Sequence, residues 1–263
     1  MSPSNDLLLE LRDLAVRIAA DTGRFLRAGL DQPREAVETK SSGTDMVSEM
    51  DRGAERLIVD AIHSQRPDDG ILGEEGTETN GTSGFRWVID PLDGTTNYLY
   101  RQPMWCVSIG IEFAGRPVVG VVEAPMQEET FVGVEGMGAH VNDKQLQVGK
   151  CEQLGLALIG TGFGYSPERR AQQGAVFATT IPIVRDIRRG GSAAIDLSYV
   201  AAGRLDGYYE IGLNPWDACA GTVIIREAGG LATGLTDDEP NANMTIAGNP
   251  FVHGALQALL LAP

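Results

Sequence analysis

Four acidic residues in the sequence stand where they could hold a metal ion. Glu74 and the pair Asp90 and Asp93 follow short apolar runs, and Asp217 stands at the start of a helical pattern, each beside small or turn-forming residues. A carboxylate at the end of a buried strand is held rigidly, and several carboxylates that converge there repel one another. Divalent cations with hard oxygen ligands relieve that repulsion, and Mg²⁺ fits best because it accepts carboxylates together with water and phosphate oxygens. The pattern predicts a magnesium site.

The stretch 90–96 also predicts a turn that binds phosphate. Its two carboxylates straddle Pro91, which fixes the turn, and Gly94 permits close approach of the backbone to a ligand. We expect Thr95 to be the N-cap of a short helical turn, whose free N–H groups and dipole attract an anion. Acids that bind a metal and a helix start that binds an anion indicate metal-assisted phosphoryl chemistry.

Taken singly, these stretches have purely structural alternatives. Glu74 with Glu75 is also typical of a solvated turn, and Asp93–Gly94 is a common turn signal. Asp217 is also typical of an acid that stabilises a helix N-terminus. Only their combination favours a phosphatase, and the residues alone leave the alternatives open.

Periodic apolar patterns predict the elements that must position these residues. Apolar side chains from Leu7 onward recur at helical spacing and predict an amphipathic helix of about five turns. Val118–Val122 is apolar at successive positions, so we expect it to be buried on both faces. The order of strands and helices favours an α+β (mixed α/β) layered fold in a single domain over 1–263. Further helices are predicted over 46–64, 167–180, 192–202, 216–228 and 251–261, and strands over 86–89, 105–113, 117–123, 130–134, 157–160, 183–187 and 205–209.

Composition narrows the class of protein. The chain has 263 residues, with 21 Lys and Arg against 36 Asp and Glu, which gives a net charge of −15. This acidic balance argues against direct nucleic-acid binding, but it is compatible with a small anionic substrate that meets bound cations. We expect neither a secretory signal nor a membrane span. Three scattered cysteines, Cys106, Cys151 and Cys219, predict a cytoplasmic protein with free thiols.

Five stretches, in order, resemble the inositol monophosphatase family. WVIDPLDGTTNYLYRQP (Trp87–Pro103) and WDACAGTVIIREAGG (Trp216–Gly230) resemble its two signatures, and Lys40–Asp51, Gly70–Gly76 and Gly191–Glu210 support the match. The resemblance implies a layered α/β/α/β/α sandwich of the inositol monophosphatase and fructose-1,6-bisphosphatase type, usually a homodimer. It also implies a Mg²⁺-dependent, Li⁺-sensitive phosphomonoesterase acting on inositol 1-phosphate or a related small sugar or polyol phosphate.

The resemblance implies a ligand set for two to three Mg²⁺ ions. Glu74, Asp90 and the backbone carbonyl of Leu92 would hold the first ion. Asp90, Asp93 and Asp217 would hold the second. Glu74 would also act in catalysis by assisting a third ion through water.

The resemblance assigns the attacking water and the substrate to further residues. Thr95, with Asp51 as its partner, would orient and deprotonate the water, and the amides of Gly94 and Thr95 would bind the phosphate. Contacts with the alcohol part of the substrate would come from Ser192, Ala193, Glu210 and Asp217.

Two alternative functions remain open at this level. A histidinol-phosphate phosphatase of the same superfamily would use extra acids, with Glu210 as one candidate, to bind the amine of its substrate. A regulatory protein that binds transcription machinery, as some bacterial relatives do, is the alternative of another class. Among the cations, Lys40 is a candidate for tuning metal affinity, and Arg188–Arg189 either attracts an anionic substrate or balances nearby acids.

Overall fold

A computed structural model describes residues 3–30, 37–39 and 46–262, so Lys40 lies outside the described residues. The helices are α1 Asn5–Gly29, α2 Glu49–Gln65, α3 Thr95–Leu99, α4 Pro167–Thr180, α5 Ala193–Ala201, α6 Pro215–Glu227 and α7 Pro250–Leu261. The strands are β1 Val37–Thr39, β2 Met46–Ser48, β3 Gly70–Gly73, β4 Glu78–Thr79, β5 Phe85–Asp93, β6 Cys106–Phe113, β7 Arg116–Ala124, β8 Glu129–Val134, β9 Gly138–Val141, β10 Lys144–Gln145, β11 Leu158–Thr161, β12 Asp186–Arg188, β13 Gly207–Glu210, β14 Leu231–Thr233 and β15 Thr245–Gly248. None of the described helices is long and apolar enough to cross a membrane.

Two mixed sheets form the framework. The larger has eight strands in the order β10-β9-β8-β7-β6-β5-β3-β4, and the smaller has five in the order β12-β11-β13-β15-β14. β3 runs parallel to β5, and β11 runs parallel to both β12 and β13, whereas the other pairs in these two sheets are antiparallel. β1 and β2 form a separate antiparallel pair.

Helices cover both faces of each sheet. α1 and α2 pack on one face of the larger sheet, and α6 packs on its other face. α5 contacts α6 and the smaller sheet, whose opposite face is covered by α7. The result is the predicted mixed α/β sandwich with α/β/α/β/α layers. Val118–Val122 in β7 is buried at every position, as its apolar sequence predicts, because α1 and α6 cover β7 from opposite sides.

Close approach between the larger sheet and α6 fixes the position of that helix. A side-chain Cβ on Gly110 would lie 2.3 Å from the Cys219 sulfur, and one on Gly120 would lie 2.3 Å from the carbonyl oxygen of Ala220. Both distances are far below van der Waals contact, so only glycine lets the backbone of α6 rest on β6 and β7. α6 begins two residues before Asp217, and this packing therefore fixes where that carboxylate lies.

Several predicted boundaries differ from the structure. The opening helix is longer than the predicted five turns and ends at Gly29, because apolar contacts with the sheet continue to Leu26. The helix predicted over 46–64 begins only at Glu49, since Met46–Ser48 pairs as a strand. The predicted strand 183–187 is observed as Asp186–Arg188. The short strands β9, β10, β14 and β15 were not predicted, because their two to four residues carry too little pattern and depend on distant partners.

Candidate active site

Asp90 and Asp93 share a face of β5 because a β-bulge separates them. Asp90 is paired with Ser108 and Asp93 with Cys106, so three steps along β5 match two steps along β6. In a regular strand, residues three apart point to opposite faces, and the extra residue of the bulge brings the two carboxylates to one side. Pro91 lies inside the bulge, where the ladder needs no N–H donor.

The other two acids reach the same place from neighbouring elements. Glu74 follows β3, and its backbone N–H donates to the carbonyl of Ile89 in the adjacent β5 at 3.2 Å. Asp217 lies in the first turn of α6, where its carboxylate accepts the backbone N–H of Asn214 at 2.6 Å. Carboxylate oxygens of Asp90, Asp93 and Asp217 all lie within 4.8 Å of one another, and Glu74 lines the same pocket. The structure thus brings together the four acids selected from the sequence.

Burial and mutual repulsion dominate the electrostatics of this cluster. Burial, followed by the charges of Glu74, Asp93 and Asp217, raises the pKa of Asp90 well above its ordinary value. Burial and the charges of Asp93 and Glu74 do the same to the pKa of Asp217. Burial also raises the pKa of Asp93, although hydrogen bonds from the first turn of α5 oppose the shift.

This donor set fits a hard divalent cation. Among the described residues, no lysine or arginine lies within ion-pair distance of Asp90, Asp93 or Asp217. Buried carboxylates without a protein cation are compensated by a bound metal or by protons. All four side chains offer oxygen ligands, which Mg²⁺ prefers over the nitrogen and sulfur ligands typical of zinc. The described residues of the cluster are therefore compatible with a metal centre.

The turn after Asp93 differs in one respect from the prediction. Gly94 is the N-cap of α3, with a φ of 89°, and Thr95 is the first helical residue. The prediction that Thr95 is the N-cap was wrong, because this sharp turn needs a left-handed residue directly before the helix, which glycine adopts without strain. The Thr95 hydroxyl instead donates to the carbonyl of Leu92 at 3.1 Å. That carbonyl, a predicted metal ligand, keeps a second lone pair for a further partner.

Asp51 is buried in the first turn of α2, at 2% exposure. Thr95 lines the pocket of the acidic cluster, together with Gly94, whereas Asp51 is not among the lining residues. The pairing of Asp51 with Thr95 therefore stays a prediction.

The pocket extends from the acidic cluster to a second region formed by α5, β13 and the segment after β11. The cavity measures about 170 Å³ and also reaches Ser192, Ala193 and Glu210. Glu210, at the end of β13, accepts a hydrogen bond from the hydroxyl of Tyr208. Burial raises the pKa of Glu210 to about 7, even though this hydrogen bond opposes the shift. Three predicted substrate contacts therefore share one pocket with the acids.

Ser192 forms a hydrogen bond with one of the acids of the cluster. Its hydroxyl donates to the carboxylate of Asp93 at 2.6 Å and accepts the backbone N–H of Ile195 at 3.3 Å, which caps α5. The backbone N–H of Ala194 donates to the same oxygen of Asp93 at 2.7 Å. In the structure Ser192 therefore supports Asp93, and its direct contact with a substrate stays a prediction.

Sequence reasoning missed two charged residues of the pocket. Asp196 is 3% exposed, and burial together with the charges of Asp93 and Glu210 raises its pKa to about 8. It follows Ser192 by four residues, the spacing that places two helical side chains on one face, so the sequence did contain a signal. Arg169, in the first turn of α4, also lines the pocket, and no motif in the sequence pointed to it.

The second arginine of the pocket was among the sequence candidates. Arg189 lines the pocket and its charge lowers the pKa of both Asp196 and Glu210, whereas burial of those two acids acts in the opposite direction. Arg188 is exposed and pairs with Asp186 at 2.5 Å, so it balances a nearby acid outside the pocket. Of the two adjacent arginines, only Arg189 therefore lines the pocket.

Comparison with known proteins agrees with this architecture. The sequence profile described as "Inositol monophosphatase family" matches residues 7–262. The Escherichia coli protein named Nus factor SuhB is 41% identical, over 94% of this chain and 94% of its own. The Mycobacterium tuberculosis protein named inositol-1-monophosphatase SuhB is 40% identical, over 95% of this chain and 93% of its own.

A solved structure shows the same fold. The crystal structure of the extragenic suppressor protein suhB from Bartonella henselae superposes with a TM-score of 0.90 at 36% identity, and the match covers 96% of this chain and 98% of that one. Profile, sequence relatives and fold therefore agree over nearly the whole chain, as the resemblance of the five motifs implies. The chain belongs to the inositol monophosphatase family of phosphoric monoester hydrolases.

Proposed function

We propose that this protein is a Mg²⁺-dependent phosphatase that hydrolyses inositol 1-phosphate, or a related small sugar or polyol phosphate, to the alcohol and inorganic phosphate. The observation that carries the proposal is the convergence of Asp90, Asp93 and Asp217 within 4.8 Å, without a protein cation among the described residues, at one end of a pocket. Two to three Mg²⁺ ions would be held by Glu74, Asp90, the Leu92 carbonyl, Asp93 and Asp217. Bound Mg²⁺ supplies Lewis-acid chemistry that neutralises phosphate charge and lowers the pKa of water.

In this proposal the residues of the turn after β5 bind the phosphate and position the attacking water. Gly94 and Thr95 line the pocket, and their backbone N–H groups would bind phosphate oxygens. The Thr95 hydroxyl donates its hydrogen bond to the Leu92 carbonyl, so its oxygen is available to accept a hydrogen bond from water. Asp51 acts with Thr95 to receive the proton of that water. Position and electrostatics, without a covalent intermediate, provide the catalysis.

We place the alcohol part of the substrate at the other end of the pocket. The Glu210 carboxylate and the first turn of α5, with Ser192 and Ala193, offer hydrogen-bond partners for ring hydroxyls. Asp217, in the acidic cluster, would also approach the oxygen that leaves. Asp196 and Glu210 line this end together with Arg169 and Arg189, so it offers substrate hydroxyl groups both acceptors and donors of hydrogen bonds.

A comparison of substrates tests the proposal. Phosphate release is measured with inositol 1-phosphate, histidinol phosphate and fructose 1,6-bisphosphate, with Mg²⁺ and with or without Li⁺. We expect the highest kcat/KM with inositol 1-phosphate and inhibition by Li⁺. A preference for histidinol phosphate would favour the second enzymatic candidate, which is supported by Asp196 as an extra buried acid beside Glu210. No release from any substrate by protein that binds Mg²⁺ would contradict the proposed activity.

A regulatory function is the candidate of another class, supported by the 41% identity to a protein named a Nus factor. The net charge of −15 favours a protein partner over direct contact with RNA. Pull-down with RNA polymerase and its associated factors tests this candidate. Stable association that persists in the Asp93→Asn variant would support a role independent of catalysis, and absence of any association would contradict it.

We also propose that the chain forms one domain over residues 1–263 and assembles as a homodimer. α5 and α6 pack between the two sheets, which argues for a shared interior. Tyr100, at 69% exposure, and Met126, at 40%, expose apolar surface that a second copy could cover. Light scattering after size exclusion tests the dimer, and a monomeric mass would contradict it.

A further inference from the structure

Asp93 is held in place by α5, a helix that packs between the two sheets. Its carboxylate accepts the hydroxyl of Ser192 at 2.6 Å and the backbone N–H of Ala194 at 2.7 Å. β5 carries Asp93 in the larger sheet, and α5 contacts β13 and β15 of the smaller sheet as well as β6 and β7 of the larger one. The orientation of this carboxylate therefore depends on how the first turn of α5 is positioned relative to β5.

Asn97 makes a second connection between the same two regions. Its side-chain amide nitrogen donates to the carbonyl of Gly190 at 2.9 Å and to that of Met104 at 2.5 Å. An amide nitrogen has two hydrogens, so both are used. Asn97 lies in α3, four residues after Asp93, and Gly190 lies two residues before Ser192. Asp93 is bonded to Ser192 and Asn97 to Gly190. These two hydrogen bonds and the chain segments 93–97 and 190–192 together form a closed ring.

Gly191 shows how tightly this ring is packed. Its φ is 91°, and an added Cβ would lie 2.8 Å from the Asn97 amide nitrogen and 2.6 Å from the Arg189 guanidinium. Only glycine fits a left-handed conformation with so little space. We name Asn97, Gly190, Gly191 and Ser192 the Asn97 clamp.

We propose that the Asn97 clamp orients Asp93, with Asn97 and Ser192 as positioning residues that set the affinity of the acidic cluster for its cation. The inference rests on the proposed function, in which Asp93 is a ligand of Mg²⁺. Groups that hold a metal ligand by hydrogen bonds fix its orientation, and their loss weakens metal binding. The clamp couples β5 to the first turn of α5 at the Asp93 carboxylate.

Matched variants separate positioning from general stability. Asn97→Ala and Ser192→Ala remove the two clamp side chains, and Ser192→Thr keeps the hydroxyl. Asn249→Ala is the control for Asn97, because Asn249 also donates from one amide nitrogen to two carbonyls, those of Gly149 and Cys151, both at 2.9 Å. Ser4→Ala is the control for Ser192, because Ser4 also caps a helix, α1, and is not among the residues that line the pocket.

The first readout is the Kd of Mg²⁺, measured by calorimetry on the full-length protein, together with the melting temperature of the metal-free form. We expect Asn97→Ala and Ser192→Ala to weaken binding by about 10- to 100-fold. Ser192→Thr should keep the wild-type Kd, and the two controls should lower the melting temperature but leave the Kd unchanged. A Kd for both clamp variants equal to that of the wild type would overturn the inference, as would an equal loss of affinity in the controls.

The second readout needs no metal. Hydrogen exchange of the backbone amide of Ala194, which donates to Asp93, is followed by mass spectrometry in the presence of EDTA. Asn97→Ala should speed this exchange, while Asn249→Ala should leave it unchanged. If wild-type protein binds no Mg²⁺, the proposed function fails, and this exchange still decides whether the clamp holds Asp93: unchanged exchange in Asn97→Ala overturns the inference.

Discussion

The metal-free protein should gain stability when Asp90 loses its charge. The carboxylates of Asp90, Asp93 and Asp217 lie within 4.8 Å of one another. At that distance each ionised pair repels by about 3 kcal/mol, with an effective dielectric constant of about 20. Part of this repulsion is already relieved by proton uptake in the folded state. We therefore expect Asp90→Asn to raise the free energy of unfolding by about 1–3 kcal/mol without metal.

The gain has a definite dependence on pH. Burial and the neighbouring acids raise the pKa of Asp90 above its ordinary value. At pH values between the ordinary and the raised pKa, the folded state therefore binds more protons than the unfolded state. The free energy of unfolding of the wild type then falls as pH rises from about 4 towards the raised pKa. Asp90→Asn removes this contribution, so the two proteins should differ little at acidic pH and most at pH 8.

Thermal and urea unfolding with EDTA measure the effect. Each kcal/mol shifts the melting temperature by about 2–4 °C in a chain of this size. Adding Mg²⁺ at about 100 times its Kd should stabilise the wild type by about 2.7 kcal/mol and the variant by less. A variant that is less stable than the wild type at pH 8 with EDTA, or a difference that does not change with pH, would refute the reasoning.

Asp69 provides the matched control. It is also buried, but hydrogen bonds from Arg66, Ser83 and Trp87 outweigh the effect of burial and lower its pKa. Its charge therefore stabilises the fold above its ordinary pKa and loses that effect as pH falls through the lowered value. Asp69→Asn should destabilise the protein at pH 8, in contrast to Asp90→Asn.

Three further predictions follow from the packing and the pocket. Gly120→Ala places a Cβ 2.3 Å from the Ala220 carbonyl oxygen, so urea unfolding should show a free energy of unfolding lower by about 1–3 kcal/mol. Calorimetry should also show a weaker affinity for Mg²⁺, because α6 carries Asp217. Unchanged stability would contradict this prediction. Glu210→Gln should lower kcat/KM for inositol 1-phosphate by about 10- to 100-fold, mainly through KM, and a fall confined to kcat would assign Glu210 to the chemical step instead. Removal of divalent cations by EDTA should abolish phosphate release and Mg²⁺ should restore it, whereas activity that survives EDTA would exclude metal-assisted hydrolysis.

Much of the framework could be predicted from local patterns. α4 has the predicted bounds, and β6 to β8 and α5 to α7 agree within one or two residues, because their apolar runs are bounded by Gly, Pro and capping residues. The alternation of strands and helices predicted a layered mixed α/β fold, whereas the α/β/α/β/α order was implied by the resemblance to the family. The short strands β9, β10, β14 and β15 were missed, since their pairing depends on residues distant in sequence.

The site was predictable where one motif contained all the necessary information. Asp90 and Asp93 could be selected from one stretch, yet only the register with β6 shows that a bulge brings them to one face. The N-cap was assigned to Thr95 because threonine is a common cap, while the backbone needed Gly94 at positive φ. The link between Ser192 and Asp93 joins residues 99 positions apart, so no local pattern could indicate it.

The central claim is that the acidic cluster binds the divalent cation used in phosphate ester hydrolysis. The most direct test is anomalous diffraction from crystals of this protein soaked in Mn²⁺, a scattering substitute for Mg²⁺ that takes similar oxygen ligands. The account predicts anomalous density in contact with the carboxylates of Asp90, Asp93 and Asp217. Density absent from this cluster, or found only at other acidic residues of the surface, would contradict it.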